Sequence, residues 1–282
     1  MARHVRLDEF LTGVAGLGLV RHLFEGDDTA AAARMAEIRG IVGSDDELYG
    51  LGVDVPILDA PQGYARWAGS YDRPGNPLVS VEQPVVWAIL DRLAPGDAVD
   101  AACGTGRHAA HLVERGHRLL GVDGSPEMLG EARAHVSGCE FREGDLAALP
   151  VDSASVDLAV CALALEHVED LDAAVAELAR VVRGGGRIVI SDLHPTVRAL
   201  GGAAYFQDVS GGAGVVRGYS HLHGDYLRAF ERAGLAVEQC LEPAIGHAEV
   251  GMQGPAAAFV PAAAEAAYLG LPMALVWDLR RP

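Results

Sequence analysis

The chain has 282 residues, half of them apolar, which is enough for one large domain or a domain with an appendage. Thirty-nine acidic residues against 22 basic ones give a formal net charge of −17. That balance disfavours a nucleic-acid partner, because phosphate binding needs a net basic face.

From Arg6 to about Phe24 the pattern is helical, with Asp8 near its start. The stretch FLTGVAGLGLV inside it is too short to span a bilayer, and no A-x-A cleavage site follows directly. It reads as a buried helix of a cytoplasmic protein with no membrane partner; a homodimer contact is the alternative use of so apolar a run. A second helix is expected over Asp28–Arg39, with Gly40 close to its end. The segment GSDDELYGLGVDVPILDAPQG is rich in turn residues and proline and reads as a linker, closing an N-terminal helical extension over residues 1–60. Helical stretches follow in YARWAGSYD and VEQPVVWAILDRL, the second with Pro84 expected in its first turn.

Apolar runs then alternate with helical patterns. The strand candidates DAVDAAC, RLLGVD, CEFREGD, VDLAVCAL and GRIVISDL are separated by the helices RHAAHLVERG, SPEMLGEARAHV and DLDAAVAELARVV. Strands joined by crossover helices make βαβ units, so the expected fold class is α/β, a Rossmann-like, doubly wound and mostly parallel sheet over residues 61–282. A further helix, DYLRAFERAG, and two strands, LAVEQCLEP and MALVWDLR, bring the sheet to seven strands. Residues 196–224, after the fifth strand, form an insert rich in glycine and aromatics that reads as a lid over a ligand rim. The four cysteines, Cys103, Cys139, Cys161 and Cys240, stand far apart with no C-x-x-C pair, as in reduced thiols of a cytoplasmic protein.

Gly104 to Ala109 satisfies G-x-G-x-x-G/A between a strand and a helix, and Asp123 follows at the spacing of a ribose-binding acid. Gly104 and Gly106 allow a tight turn and close approach of a ligand to the backbone. A nicotinamide dinucleotide enzyme and an S-adenosylmethionine enzyme would both show this much. Asp100, four residues before Gly104, separates them: it repels a diphosphate and attracts the ammonium of a methionine moiety. Asp145, in the turn GDL after the third strand, can accept a hydrogen bond from an adenine amine while Leu146 covers the ring.

Together DAACGTG, GVDGSPEML, GDL and CALALEHVED resemble the class I S-adenosylmethionine-dependent methyltransferases, in particular the small-molecule methyltransferase type 11 and UbiE-like branch. The pattern there is D-x-G-C-G-T-G, so Ala102 replaces the first glycine. The resemblance implies S-adenosylmethionine as cofactor and Asp123 on its ribose, with Met128 near the adenine. It also implies that Tyr64, Trp67 and Tyr71, from YARWAGSYD, line the site. Ala162 and Leu163, ending the fourth strand, would border the methionine tail. The implied activity is methyl transfer to a small-molecule acceptor, oxygen being the first expectation. The alternatives are an NAD(P)-dependent oxidoreductase and a cofactor-binding scaffold that transfers no methyl group.

An oxygen nucleophile needs a base near neutrality, and histidine is the natural candidate. His167 follows the fourth strand; Asp192 and His194 follow the fifth; His221 and His223 lie at the end of the insert. His221, His223 and His194 together could ligate a metal, but no carboxylate or cysteine is spaced in the sequence to complete the set, so no metal is expected. Tyr205, Phe206 and Tyr219 are expected to wall the acceptor or pack the insert. His108 and His111 read as solvated or helix-packing residues.

Overall fold

Residues 2–24 and 26–282 are described by the structure, a computed structural model. The chain enters through β1 (Ala2–Arg6), α1 (Leu7–Arg21), α2 (Asp28–Val42), β2 (Gly52–Leu58), α3 (Ala60–Trp67) and α4 (Pro77–Leu90). The βαβ region holds β3 (Asp97–Ala101), α5 (Arg107–Glu114), β4 (Arg118–Asp123), α6 (Pro126–His135), β5 (Glu140–Glu143), β6 (Val156–Ala162), α7 (Leu171–Val181), β7 (Val182–Leu193) and α8 (Pro195–Ala199). The insert supplies β8 (Ala204–Gln207) and β9 (Ala213–Val216). The chain ends with α9 (His223–Arg232), β10 (Ala236–Leu241), α10 (His247–Val250), α11 (Pro255–Phe259), α12 (Pro261–Tyr268) and β11 (Ala274–Arg280).

The main sheet runs β10-β11-β7-β6-β3-β4-β5. Its five strands from β7 to β5 are parallel, and β11 and β10 are antiparallel additions at one edge. Chain direction across the sheet reverses between β3 and β6, the switch point above which open α/β sheets bind ligands. Helices cover both faces, so the strands are apolar throughout and sort by parity. Val99, Ala101, Ala159, Cys161, Ile188 and Ile190 pack on the α7 and α9 side. Ala98, Leu158, Val160 and Val189 pack on the α4, α5 and α6 side.

A third apolar cluster joins α1 to the C-terminal helices through Leu11, Val14, Ala263, Ala264 and Ala267. Gly18 makes this crossing close: a Cβ there would lie 3.1 Å from the Ala263 carbonyl oxygen. The apolar N-terminal run is thus a helix docked inside its own chain. Among the described residues no helix is long and apolar enough to cross a membrane.

Three local expectations are corrected. The linker contains β2, whose Val53, Val55 and Ile57 alternate with period two; it pairs antiparallel with β1 and parallel with the insert strand β9. The N-terminal extension and the insert therefore share a second sheet, β1-β2-β9-β8. Pro84 lies in the body of α4, not its first turn. That helix starts earlier, where Asn76 accepts from the Leu78 and Val79 amides and Pro77 sets the first residue.

Candidate functional site

The turn after β3 is held in the left-handed region at three places: Ala102 (φ +60), Gly104 (φ +55) and Gly106 (φ +89). The two glycines differ in role. A Cβ on Gly104 would meet nothing within 4 Å, so its side is open to a ligand; one on Gly106 would lie 2.8 Å from Val136, so that glycine lets α5 close on the end of α6. Asp123 braces the turn from β4, accepting the Gly104 amide on Oδ2 and the Ser125 amide on Oδ1, each at 2.8 Å. Lone pairs remain on both oxygens for hydroxyl donors.

Asp100 is 1 % exposed, and its Oδ2 has no hydrogen-bond partner among the described residues. Burial pushes its carboxyl up to about 7; Arg107 opposes this and Asp123 adds to it. A buried carboxylate oxygen without a partner is costly unless a ligand supplies one. Asp72 adds a third acid, accepting from the Thr105 hydroxyl at 2.9 Å. Three carboxyl groups around one glycine turn suit an ammonium and hydroxyls, and oppose a diphosphate.

An aromatic cap covers the turn. Asp59 caps α3 by accepting the Gln62 amide, and this short helix presents Tyr64 and Trp67 stacked at 5.9 Å. Tyr71 stands edge-on to Trp67 at 5.0 Å, and burial pushes its phenol up to about 12. Phe206 of β8 stacks on the other side of Trp67 at 5.3 Å, tying the insert to the cap. Tyr205, on the opposite face of that strand, is 48 % exposed and does not wall the site. Met128 is buried in the first turn of α6, where its amide donates to Ser125 Oγ. Asp145 is exposed at the rim, with one oxygen taken by the Ala147 amide, and Leu146 is half-buried against the core.

Beyond β6 the chain turns through Ala162 and Leu163, the latter at φ +54. His167 follows. Its Nδ1 lies 2.7 Å from the Arg217 carbonyl oxygen, so Nδ1 carries the proton and donates it. Nε2 therefore keeps its lone pair, and it is buried without a hydrogen-bond partner among the described residues. Tyr64 meets the imidazole edge-on at 5.3 Å. Glu166 Oε1 lies 3.7 Å from this Nε2, and Glu166 and Asp192 form a buried acid pair. Burial and mutual repulsion raise Asp192 well above the usual carboxylate range, and the Tyr226 hydroxyl donates to its Oδ2 at 2.6 Å. A narrow cleft here is lined by Glu166, Leu193, Arg198, Tyr219, His221 and Tyr226.

The remaining histidines separate. His221 bonds the Val168 carbonyl through Nε2 at 2.8 Å. His194 and His223 instead meet at Glu242, a carboxylate the sequence spacing did not offer. His108 and His111 are both buried on α5, as helix-packing residues. His108 belongs to a network that sequence reasoning missed, centred on the fully buried Glu82 of α4. Glu82 Oε1 accepts from Ser191 at 2.6 Å and meets His108 at 3.2 Å, and Oε2 takes Arg107 at 2.8 Å. Burial pushes this carboxyl up, but His108, Arg107 and Ser191 outweigh it and hold it at about 2. One signal was available: an acid at an apolar position of a helix, with Arg107-His108 opening the helix after the glycine turn.

Residues 99–190 match a type 11 family model described as "Methyltransferase domain". The chain is 35 % identical over 152 residues to malonyl-[acyl-carrier protein] O-methyltransferase of Serratia marcescens, covering 52 % of this chain and 57 % of that protein. It is 37 % identical over 125 residues to demethylmenaquinone methyltransferase of Deinococcus radiodurans, covering 41 % and 52 % respectively. The chain thus spans about half the length of these curated relatives. A crystal structure of an S-adenosylmethionine-dependent methyltransferase from Mesorhizobium loti superposes with a TM-score of 0.56 at 27 % identity, over 73 % of this chain and all of that one. Sequence and fold comparisons converge on the same segment, and residues 99–190 form a methyltransferase domain of the class I S-adenosylmethionine-dependent kind.

Proposed function

We propose that this protein transfers a methyl group from S-adenosylmethionine to an oxygen atom of a small-molecule acceptor. The observation that carries the cofactor is Asp100: a buried carboxylate oxygen without a partner, beside a glycine turn whose Gly104 side is open. The methionine ammonium fits Asp100, the ribose hydroxyls fit Asp123, and Tyr64, Trp67 and Tyr71 exclude water above them. Asp145 and Leu146 would hold the adenine at the rim, with Met128 beneath it, and Ala162 and Leu163 would border the methionine tail.

The sulfonium, when bound, supplies an already activated methyl group, so the protein contributes position and proton handling. His167 is assigned as the base: Nε2 takes the acceptor's hydroxyl proton, while the Arg217 carbonyl fixes the ring through Nδ1. The O-methyltransferase name of the Serratia relative supports oxygen as the receiving atom. The acceptor would lie beside His167 beneath the insert, and the narrow cleft between Glu166, Tyr219 and Tyr226 would have to widen to admit it. The division of the chain at residue 60 belongs to the same reading, with the extension and the 196–224 insert closing over the acceptor from outside. So do a reducing cytoplasmic setting and a homodimer joined through the exposed Val20, Leu23, Phe24 and Val42.

Calorimetric titration is expected to detect S-adenosylhomocysteine binding and no NAD binding; the reverse result would end this reading. In a labelled-methyl assay over hydroxyl-bearing acceptors, His167→Gln should cut turnover roughly a hundredfold or more. Its affinity for S-adenosylhomocysteine should stay the same. Undiminished turnover would remove His167 from proton transfer.

A further inference from the structure

Two imidazoles and a carboxylate converge away from the glycine turn. His194 follows β7, His223 opens α9, and Glu242 follows β10. Nε2 of each histidine lies 2.9 Å from the same oxygen, Glu242 Oε1, and the three ligand atoms all lie within 4.8 Å of one another. The His194 side chain is 4 % exposed, whereas those of His223 and Glu242 are 39 % and 48 % exposed. The cluster is anchored on one side and open to solvent on the other.

We propose that His194, His223 and Glu242 bind a divalent d-block cation of the zinc type. Two imidazole nitrogens with one carboxylate oxygen suit such an ion, whereas magnesium and calcium take all-oxygen sets. Bonds of about 2.0 Å at a tetrahedral angle would place two ligand atoms roughly 3.3 Å apart. The two 2.9 Å separations need to open by only a few tenths of an ångström. Three protein ligands leave a coordination position for water or an anionic oxygen. That position adjoins the acceptor cleft, because Leu193 next to His194, and Tyr226 one turn along α9 from His223, both line it. The inference goes beyond methyl transfer and does not rest on it, since ion binding is read without cofactor or acceptor.

The competing arrangement is two neutral imidazoles that donate to one carboxylate, and a proton position separates the two. The Thr196 amide donates to His194 Nδ1 at 3.1 Å, capping the five-residue helix α8. Without an ion, then, the His194 proton sits on Nε2 and points at Glu242. Ligation through Nε2 moves that proton to Nδ1 and ends the cap at Thr196. The loss is three hydrogen bonds, the Thr196 cap and the two imidazole N–H bonds to Glu242, set against three coordinate bonds.

Cobalt(II) titration of the metal-stripped full chain, followed by visible absorption, is the test. One equivalent is expected to bind, with the intensified ligand-field bands of a four-coordinate nitrogen and oxygen site, and zinc should displace it. Nitrogen-15 NMR should show His194 changing tautomer as cobalt-free protein takes up zinc. Glu242→Gln and His223→Ala should each weaken cobalt binding by at least the roughly tenfold that even outer partners of a metal site are worth. His221→Ala, whose ring is held by the Val168 carbonyl, should bind cobalt as the parent does. A cooperative thermal transition at the parent's temperature in each variant shows that the fold survives. Absence of the bands in the parent, or parent-like cobalt binding in Glu242→Gln and His223→Ala, would overturn the assignment.

Discussion

Ala102 stands at φ +60 where the resembled pattern has glycine. A side chain in the left-handed region costs about 1 kcal/mol, because Cβ crowds the following carbonyl. Ala102→Gly is expected to raise stability to denaturant by about that amount; a lower midpoint would mean that alanine's restriction of the unfolded chain outweighs the strain. Asp100, two residues earlier, carries a second local cost. Burial raises its folded-state carboxyl from 3.8 to about 7, so the folded chain holds a proton across that window that the unfolded chain has lost. Stability contributed by this group is therefore complete below about pH 4 and lost as pH rises to about 7. Asp100→Asn should flatten that slope in thermal unfolding and leave the cofactor-free protein more stable at pH 8. It should also weaken S-adenosylhomocysteine binding. In the parent, the same ligand should bind less tightly below pH 7, by up to roughly tenfold per unit, since its ammonium needs the ionised acid. Much of this was legible beforehand: Asp100, Gly104 and Asp123 were readable from spacing alone. The orphaned oxygen was not, since a missing partner is a property of the surroundings.

Glu82 acts at the scale of elements. Its carboxylate joins α4, the first turn of α5 and the end of β7 through Arg107, His108 and Ser191. These three elements fix the glycine turn from behind, away from the ligand side. Glu82→Gln leaves Arg107 without its buried counter-charge and is expected to cost about 3 kcal/mol. The native carboxyl lies at about 2 against an unfolded value of 4.5. This contribution is therefore present above pH 4.5 and is lost as pH falls toward 2. An acid-unfolding titration should show the parent's steep loss in that range blunted in the variant; coincident curves would assign the network no role in stability. The strand–helix alternation of β3 to β7 was legible because burial on both faces imposes a strong apolar pattern. α4 starts earlier than its pattern predicts because Asn76-Pro77, and not Pro84, carries the cap and the first-turn proline. β2 was masked by its flanking turn residues, although Val53, Val55 and Ile57 alternate.

At the scale of the whole molecule, two sheets meet over the site. The β1-β2-β9-β8 sheet unites segments about 160 residues apart in sequence, as the pairing of Ile57 with Val215 shows, and Gly63 of α3 sits at the junction. A Cβ there would lie 2.6 Å from Val216 of β9, so only glycine lets the helix bearing Tyr64 and Trp67 rest on the insert. Gly63→Leu is expected to force α3 off β9, at about 1–3 kcal/mol of overpacking. The main sheet should keep its cooperative unfolding, while S-adenosylhomocysteine affinity falls because the aromatic cap no longer closes. Unchanged affinity would show that the cap does not depend on the second sheet.

The amino-acid order by itself determined the parallel sheet, the glycine turn and the acids around it, since periodicity and short spacings are local properties that no distant segment can alter. Only tertiary structure decided which histidine keeps a free lone pair, which two share Glu242, and that the N-terminal segment and the insert form one sheet. Those outcomes depend on contacts between residues far apart in sequence, where burial and hydrogen-bond partners are set by packing and not by pattern.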